Sequence, residues 1–211
     1  MARRTKEDAD ATRQALLDAA EVVFYAKGVG RASLAEIAQA AGATRGAIYW
    51  HFRDKVDLFN AMMDRVTLPL EAAYRDADLA GDPLDRVQNA VQRLLQTVVQ
   101  DAHTRRVFEI AMYRVEYVDA LSGVRERHET ALQRFHAQLT RDLALAAQQQ
   151  RLSLPLATAD AARGLQALFD GLLQAWILGG TPFALEQVGS GAVAAYLRGL
   201  GYRVHVQSDM R

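Results

Sequence analysis

The 211 residues carry 25 basic and 25 acidic side chains, so their net charge of zero gives no indication of a nucleic-acid partner. Half of the residues are hydrophobic, which allows a sizeable core, and the lack of cysteine excludes disulfides and thiolate chemistry. No run of about 18 apolar residues occurs, and the basic N-terminus lacks the apolar stretch of a signal peptide, so we expect a cytoplasmic protein without a membrane partner.

Helical periodicity dominates the chain, whereas β alternation and Asn-Gly hairpin signals are absent. The pattern predicts an all-α fold of nine helices. In chain order we expect them at about 9–27, two short ones within 33–52, then from 54 into the seventies, from 83, at 104–113, 122–150, 157–178 and 184–199. Residues 204–211 follow no period and are predicted to be a disordered tail.

Several residues indicate where helices begin or bend. Pro69 falls inside the fourth predicted helix and should bend it, because proline removes a backbone hydrogen bond. Asp82 followed by Pro83 is typical of an N-cap with proline in the first turn. Thr104 is expected to cap the sixth helix. The predicted inner stripe of the fifth helix consists of Leu84, Val87, Val91, Leu94 and Val98.

The segment 33–52 predicts two short helices joined by a tight turn. Ser33 and Glu36 have the spacing of a capping box, and Thr44 can cap the second helix. Ala38 is small where the helices must cross, Gly42 can adopt a left-handed turn, and Ile48 can lock the pair together. These offsets satisfy the sterics of a helix-turn-helix.

The outer side of the second helix indicates what this pair of helices does. If Ile48 and Phe52 point inward, the outward residues are Thr44, Arg45, Gly46, Tyr49 and His51. Such side chains can approach phosphates and base edges, and Arg45 is the best candidate for bidentate contact with guanine. Lys55, at the start of the fourth helix, could hold a phosphate. Alternatively, Tyr49, Trp50 and Phe52 are ordinary core aromatics.

Enzyme chemistry finds no support in the sequence. His128 and Glu129 do not extend to H-E-x-x-H, because Leu132 stands where the second histidine would be needed. There is no phosphate-binding glycine loop, serine elbow or cysteine nucleophile. We therefore expect no enzymatic activity, no metal and no cofactor.

The most apolar predicted helix, about 157–178, must be covered on several sides. Gly164 and Gly171 lie on one face, two turns apart, and would let another helix approach closely. The last predicted helix has a face rich in small residues, with Ala192, Ala195 and Tyr196.

The chain resembles the TetR family of bacterial repressors from Ser33 to Leu58. This segment ends in Gly46-Ala47-Ile48-Tyr49-Trp50-His51-Phe52-Arg53-Asp54-Lys55-Val56-Asp57-Leu58. Within that family it is similar to the AcrR/MtrR-like branch of multidrug efflux regulators, and Arg3-Arg4-Thr5-Lys6-Glu7 fits the same branch. The resemblance is strong over about residues 3–66 and weaker afterwards, although residues 168–176 are similar to an eighth-helix segment of the branch.

The resemblance implies a three-helix DNA-binding domain at 1–53 and a ligand-binding and dimerisation domain at 54–203. It implies a homodimer, with its interface at Gly164, Leu168, Gly171, Ala192, Ala195 and Tyr196. A two-fold dimer would bind a palindromic double-stranded DNA operator. Carried over position by position, the DNA contacts are Ser33, Thr44, Arg45, Gly46, Tyr49, Trp50, His51 and Lys55.

The resemblance also implies a pocket for a small amphipathic or cationic drug-like inducer. The expected ligand-binding residues are Met62, Val66, Phe108, Met112, Glu116, Phe135, Asp170 and Gln174. Methionine and aromatic side chains adapt to many ligands, and a buried acid would favour cations. Phe108, Met112 and Phe135 could instead be plain core, and Asp170 could serve a cap or a dimer contact. The implied function is repression of a multidrug efflux operon; the alternative is a sensor of a metabolite such as an acyl-CoA or fatty acid.

Overall fold

In a computed structural model, residues 6–75, 81–116 and 121–204 are described. These residues form nine α-helices and no strand, which confirms the predicted fold class. The helices are α1 (Lys6–Lys27), α2 (Leu34–Ala40), α3 (Arg45–His51), α4 (Lys55–Arg75), α5 (Pro83–Gln100), α6 (Ala102–Tyr113), α7 (Ser122–Gln150), α8 (Thr158–Leu178) and α9 (Leu185–Gly199). Apart from residue 204, the predicted tail lies outside the described residues, as do Arg3 and Arg4.

Most predicted helix ends agree with the structure, but α1 begins at Lys6, three residues before its predicted start, and α6 begins before its predicted cap. The Asp82 carboxylate accepts a 2.7 Å hydrogen bond from the Leu84 amide, so the predicted N-cap before Pro83 is confirmed. The predicted cap at Thr104 is wrong: α6 begins at Ala102, and Thr104 is buried inside its first turn. Only Asp101 separates α5 from α6, so no loop remains in which Thr104 could act as a cap.

Two further details concern α4 and α5. Pro69 lies within α4, which continues to Arg75, and the bend expected there stays a prediction. On α5 the buried stripe includes Leu95 rather than the predicted Leu94, which is only half-buried. The stripe steps by four residues from Val91 to Leu95, as the helical repeat allows.

The described residues divide into two compact units, and α4 and α7 contribute to both. The first unit contains α1, α2, α3, residues 55–68, most of α6 and the start of α7. Its apolar core takes at least one side chain from each of six helices: Leu16, Ala20 and Phe24 of α1, Ile37 and Ala38 of α2, Ile48 of α3, Leu58, Phe59 and Met62 of α4, Val107 and Ile110 of α6, and Val124 of α7. The predicted domain boundary after residue 53 stays a prediction.

The second unit contains residues 69–102 and the chain from 130 onward. Close helix contacts in it depend on small residues. A Cβ added to Gly189 of α9 would lie 2.3 Å from a methyl carbon of Leu95, and one added to Gly164 of α8 would lie 2.2 Å from the Tyr196 hydroxyl oxygen. Tyr196 donates a 2.9 Å hydrogen bond to the Ala161 carbonyl. The helix that Gly164 admits is thus α9 of the same chain.

A buried polar cluster joins three helices of the second unit. Asp142 of α7, with 1% of its surface exposed, accepts hydrogen bonds from the Arg86 guanidinium at 2.6 Å and the Tyr74 hydroxyl at 2.9 Å. The Gln138 amide donates a third at 3.3 Å. Burial raises the pKa of Tyr74 well above its usual value, as does the nearby Asp142 carboxylate, so the hydroxyl remains a donor.

None of the described helices combines the length and apolar character required to cross a lipid bilayer.

Candidate DNA-binding site

A reciprocal pair of hydrogen bonds starts α2. The Glu36 amide donates to the Ser33 hydroxyl oxygen at 3.3 Å, and the Ser33 amide donates to the Glu36 carboxylate at 3.0 Å, which confirms the predicted capping box. Lys27 donates to the same carboxylate at 2.6 Å. Its hydrogen bond, with those from Ser33, lowers the pKa of Glu36 to about 2, so the cap remains ionised at any ordinary pH.

The turn between α2 and α3 has the geometry that the residue offsets predict. Gly42 has a φ of +65°, a left-handed conformation that side chains disfavour. The Ala43 amide donates to the Ala38 carbonyl at 2.8 Å and closes the turn. Ala38 and Ile48 are buried where the two helices meet. Because these contacts lie within eleven residues, α2 supports α3 as a rigid element.

The outer face of α3 carries the side chains predicted to read DNA. Thr44 accepts a 3.2 Å hydrogen bond from the Ala47 amide, which confirms it as the N-cap. Arg45 and Gly46 are exposed, and 61% of Tyr49 and 72% of Trp50 are open to solvent. The alternative that these two aromatics belong to the core is therefore wrong, whereas Phe52, only 2% exposed, is a core residue.

Two other predicted DNA-contact residues already make contacts within the chain. His51 is half-buried, and its ring lies edge-on to Trp50 with centroids 4.5 Å apart. Ser33 is exposed, but its hydroxyl also donates to Glu36 at 2.9 Å. The Ser33 hydroxyl can therefore donate to a phosphate only if it releases or shares its hydrogen bond to Glu36.

Lys55 differs most from its expected setting. Its ammonium donates to the carbonyl oxygens of Gly30 at 2.6 Å and Ala32 at 3.0 Å, both in the loop between α1 and α2. Burial lowers the pKa of Lys55, and the charge of Glu116 opposes that shift. Two of the three ammonium donors therefore serve the protein itself.

Sequence reasoning missed two exposed polar residues near this face. Gln39 of α2 lines a shallow groove together with Arg45, and 86% of the Arg53 side chain, directly after α3, is exposed. Gln39 lies within the predicted helix-turn-helix and Arg53 directly after it, and that position was the available signal.

The predicted ligand-binding residues fall in both units. Of those in the first unit, Met62 and Val66 belong to the apolar core, and Phe108 packs against it. Met112 is half-buried. Glu116 lies against Gly30, since a Cβ added there would be 2.7 Å from its carboxylate oxygen.

The remaining three predicted ligand-binding residues lie in the second unit. The Phe135 ring is 6.4 Å from that of Phe169 and 6.1 Å from that of Tyr74, measured between centroids. Asp170 of α8 is half-buried, and burial raises its pKa to about 6. Gln174, one turn further along, is exposed.

The predicted dimer residues divide into inner and outer positions. Gly164 and Tyr196 pack against each other within the chain, and Leu168 and Ala192 are half-buried. Gly171 and Ala195 are exposed. No atom outside its own helix backbone lies within 4 Å of a Cβ added to Gly171, so this position has room for a side chain.

Comparison with known proteins identifies this architecture. Residues 16–62 match the family described as bacterial regulatory proteins, tetR family, and residues 82–202 match the MAATS-type transcriptional repressor, C-terminal region. The chain is 38% identical over 180 residues to the HTH-type transcriptional regulator TtgR of Pseudomonas putida, covering 84% of this chain and 86% of that protein.

Two solved structures are also similar. NalD, described as the secondary repressor of the MexAB-OprM multidrug efflux pump in Pseudomonas aeruginosa, superposes with a TM-score of 0.84 at 35% identity, covering 92% of this chain and 98% of that one. SmeT, the repressor of the Stenotrophomonas maltophilia efflux pump SmeDEF, has been solved in complex with triclosan. That complex gives a TM-score of 0.79 at 28% identity, covering 90% and 91% of the two chains.

Taken with the capped helix pair and its exposed reading face, these matches show that the chain belongs to the TetR family of bacterial transcriptional regulators, which bind DNA and are not enzymes.

Proposed function

We propose that this regulator represses a multidrug efflux operon, binds its palindromic operator as a homodimer, and is released by amphipathic or cationic drug-like ligands. The observation that carries the DNA-binding part is the outer face of α3, where Arg45, Tyr49 and Trp50 are exposed on a helix fixed by α2. The efflux target rests on likeness to NalD and SmeT, both described as efflux repressors.

The homodimer rests on exposed small and apolar side chains along α8 and α9. On α8 these are Ala167, Gly171, Ala175 and Leu178, and on α9 Val188, Gly191 and Ala195. Spacings of three or four residues keep each set on one side of its helix. Leu178, 72% exposed in the single chain, would be buried by a second copy. Two-fold symmetry would then demand two equivalent half-sites in the DNA.

Footprinting on the intergenic DNA beside the gene tests the proposal directly. We expect a protected inverted repeat, with an affinity for that fragment well above that for scrambled DNA. Addition of cationic dyes or triclosan should remove the protection. Release by fatty acyl compounds but not by drugs would support the metabolite-sensor alternative, and absence of any preferred fragment would refute both.

Replacing Arg45 by alanine should relax sequence preference. Its guanidinium is exposed at the start of α3, where it can donate two hydrogen bonds to one guanine. We expect a loss of roughly 1–3 kcal/mol on the operator and little loss on scrambled DNA. Titrations on both duplexes check this, and an equal loss on the two would show that Arg45 contacts only phosphate.

Binding of a cationic ligand should depend on the ionisation of Asp170. Since burial raises the pKa of its carboxyl to about 6, the group is mostly neutral at pH 5 and charged at pH 7.5. If it pairs with the ligand, affinity for ethidium, whose charge is fixed, should rise roughly tenfold over that range. Fluorescence polarisation measures this, and Asp170→Asn should abolish the rise. The same rise in both proteins would exclude Asp170 from the site.

A further inference from the structure

The loop of residues 28–32 fixes the point at which the helix-turn-helix begins. It leaves α1 through Gly28, whose φ is +82°, and ends at Ala32, directly before the Ser33 cap of α2. Val29 and Ala32 are buried, with 0% and 4% of their surfaces exposed. Any shift of this loop must therefore move the start of α2 and, through the rigid turn, α3.

Two other segments of the first unit hold this loop. The Lys55 ammonium, at the start of α4, binds the carbonyls of Gly30 and Ala32 at 2.6 and 3.0 Å. After the end of α6, the Arg114 carbonyl accepts a 2.8 Å hydrogen bond from the Val29 amide. The Glu116 carboxylate lies against Gly30. The loop is thus held through its backbone, by groups that lie 23 or more residues away in the chain.

The charges match this arrangement. Carbonyl oxygens are the negative ends of peptide dipoles, and two of them converge on one ammonium, with the Glu116 carboxylate close enough to act on its charge. If the ammonium withdrew into solvent, the Gly30 and Ala32 carbonyls would lose this donor. To contact a phosphate, Lys55 would have to use the one remaining N–H donor of its ammonium or break one of its hydrogen bonds to the two carbonyls.

We propose that Lys55 is a positioning residue, which sets the orientation of α2 and α3 for specific operator binding by holding the Gly30 and Ala32 carbonyls. This inference rests on the DNA-binding function proposed above, but it assigns Lys55 a role different from a phosphate contact. A phosphate contact acts on every DNA sequence alike, whereas a positioning contact acts mainly on the sequence that requires correct alignment.

Two substitutions separate these roles. Lys55→Met removes both charge and donors at similar length, and Lys55→Gln removes the charge but keeps an N–H donor. Affinities for the operator and a scrambled duplex are measured at several salt concentrations, well below the unfolding temperature. Arg53→Met serves as the matched control, because it removes an exposed cation two residues away.

We expect Lys55→Met to weaken operator binding at least tenfold and scrambled binding less than threefold, with an unchanged salt slope. Lys55→Gln should recover part of the operator affinity. Arg53→Met should weaken both duplexes alike. The proposal is overturned if Lys55→Met leaves operator affinity unchanged, or if both Lys55 variants weaken the two duplexes equally and lower the slope by about one.

Hydrogen exchange of the protein without DNA gives a second readout, independent of the operator. Lys55→Met should speed amide exchange in residues 29–33, and Lys55→Gln should do so less, whereas loss of a phosphate contact would leave exchange unchanged. If Lys55→Met does not fold, Lys55→Gln alone carries both measurements. A wild-type protein that prefers no DNA fragment would refute the proposed function, and the exchange result would still decide the role of Lys55.

Discussion

Replacing Asp142 by alanine should lower the free energy of unfolding by about 3–5 kcal/mol. The substitution leaves the Arg86 guanidinium buried without its carboxylate and deprives the Tyr74 hydroxyl of its acceptor. Only 6% of the Arg86 side chain is exposed, so bulk solvent has little access to the guanidinium once its carboxylate is removed. Urea unfolding at one fixed protein concentration measures the effect, because dimer stability varies with concentration.

Glu129→Ala is the matched control for this prediction. Glu129 is an acid of the same helix whose side chain is exposed, and its removal should change stability by no more than about 0.5 kcal/mol. Asp142→Asn should fall between the two, since an amide oxygen still accepts a hydrogen bond but carries no charge. A loss below about 1 kcal/mol for Asp142→Ala would show that the buried cluster rearranges around the vacancy.

Replacing Gly171 by arginine should dissociate the proposed dimer into monomers without unfolding the chain. The surroundings of a Cβ at Gly171 are open in the single chain, and arginine favours helix by up to about 1 kcal/mol relative to glycine. In a dimer, the same side chain would place a charge in a close helix contact. Because two linked helix-turn-helix units bind DNA far more tightly than one, operator affinity should fall roughly 10²–10⁴-fold.

Light scattering gives the mass of the variant, and circular dichroism reports whether its helices are intact. Ala137→Arg, a similar change at an exposed position of α7, should remain dimeric and bind the operator normally. A Gly171→Arg protein that keeps both the dimer mass and wild-type affinity would place the interface elsewhere on the chain.

The helix-turn-helix was predictable because its determinants are local. A cap at Ser33, a left-handed glycine at position 42 and a branched residue at 48 act over at most fifteen residues. Helical periodicity likewise predicted the ends of α7, α8 and α9 within one residue. The cap at Thr104 failed because the same residue type is compatible with a cap and with a helix interior.

The amino-acid sequence by its local pattern predicts the all-α class, the position of α2 and α3 and the caps that begin them, whereas the exposure of Tyr49 and Trp50 was seen only in the structure. Which distant groups meet became visible only in the folded chain: Lys55 binds the Gly30 and Ala32 carbonyls, Tyr74 and Arg86 bind Asp142, and Tyr196 packs against Gly164. The reason is physical. Caps, turns and helical faces follow from short-range sterics and hydrogen bonds, whereas the partner of a long polar side chain depends on which helices pack beside it.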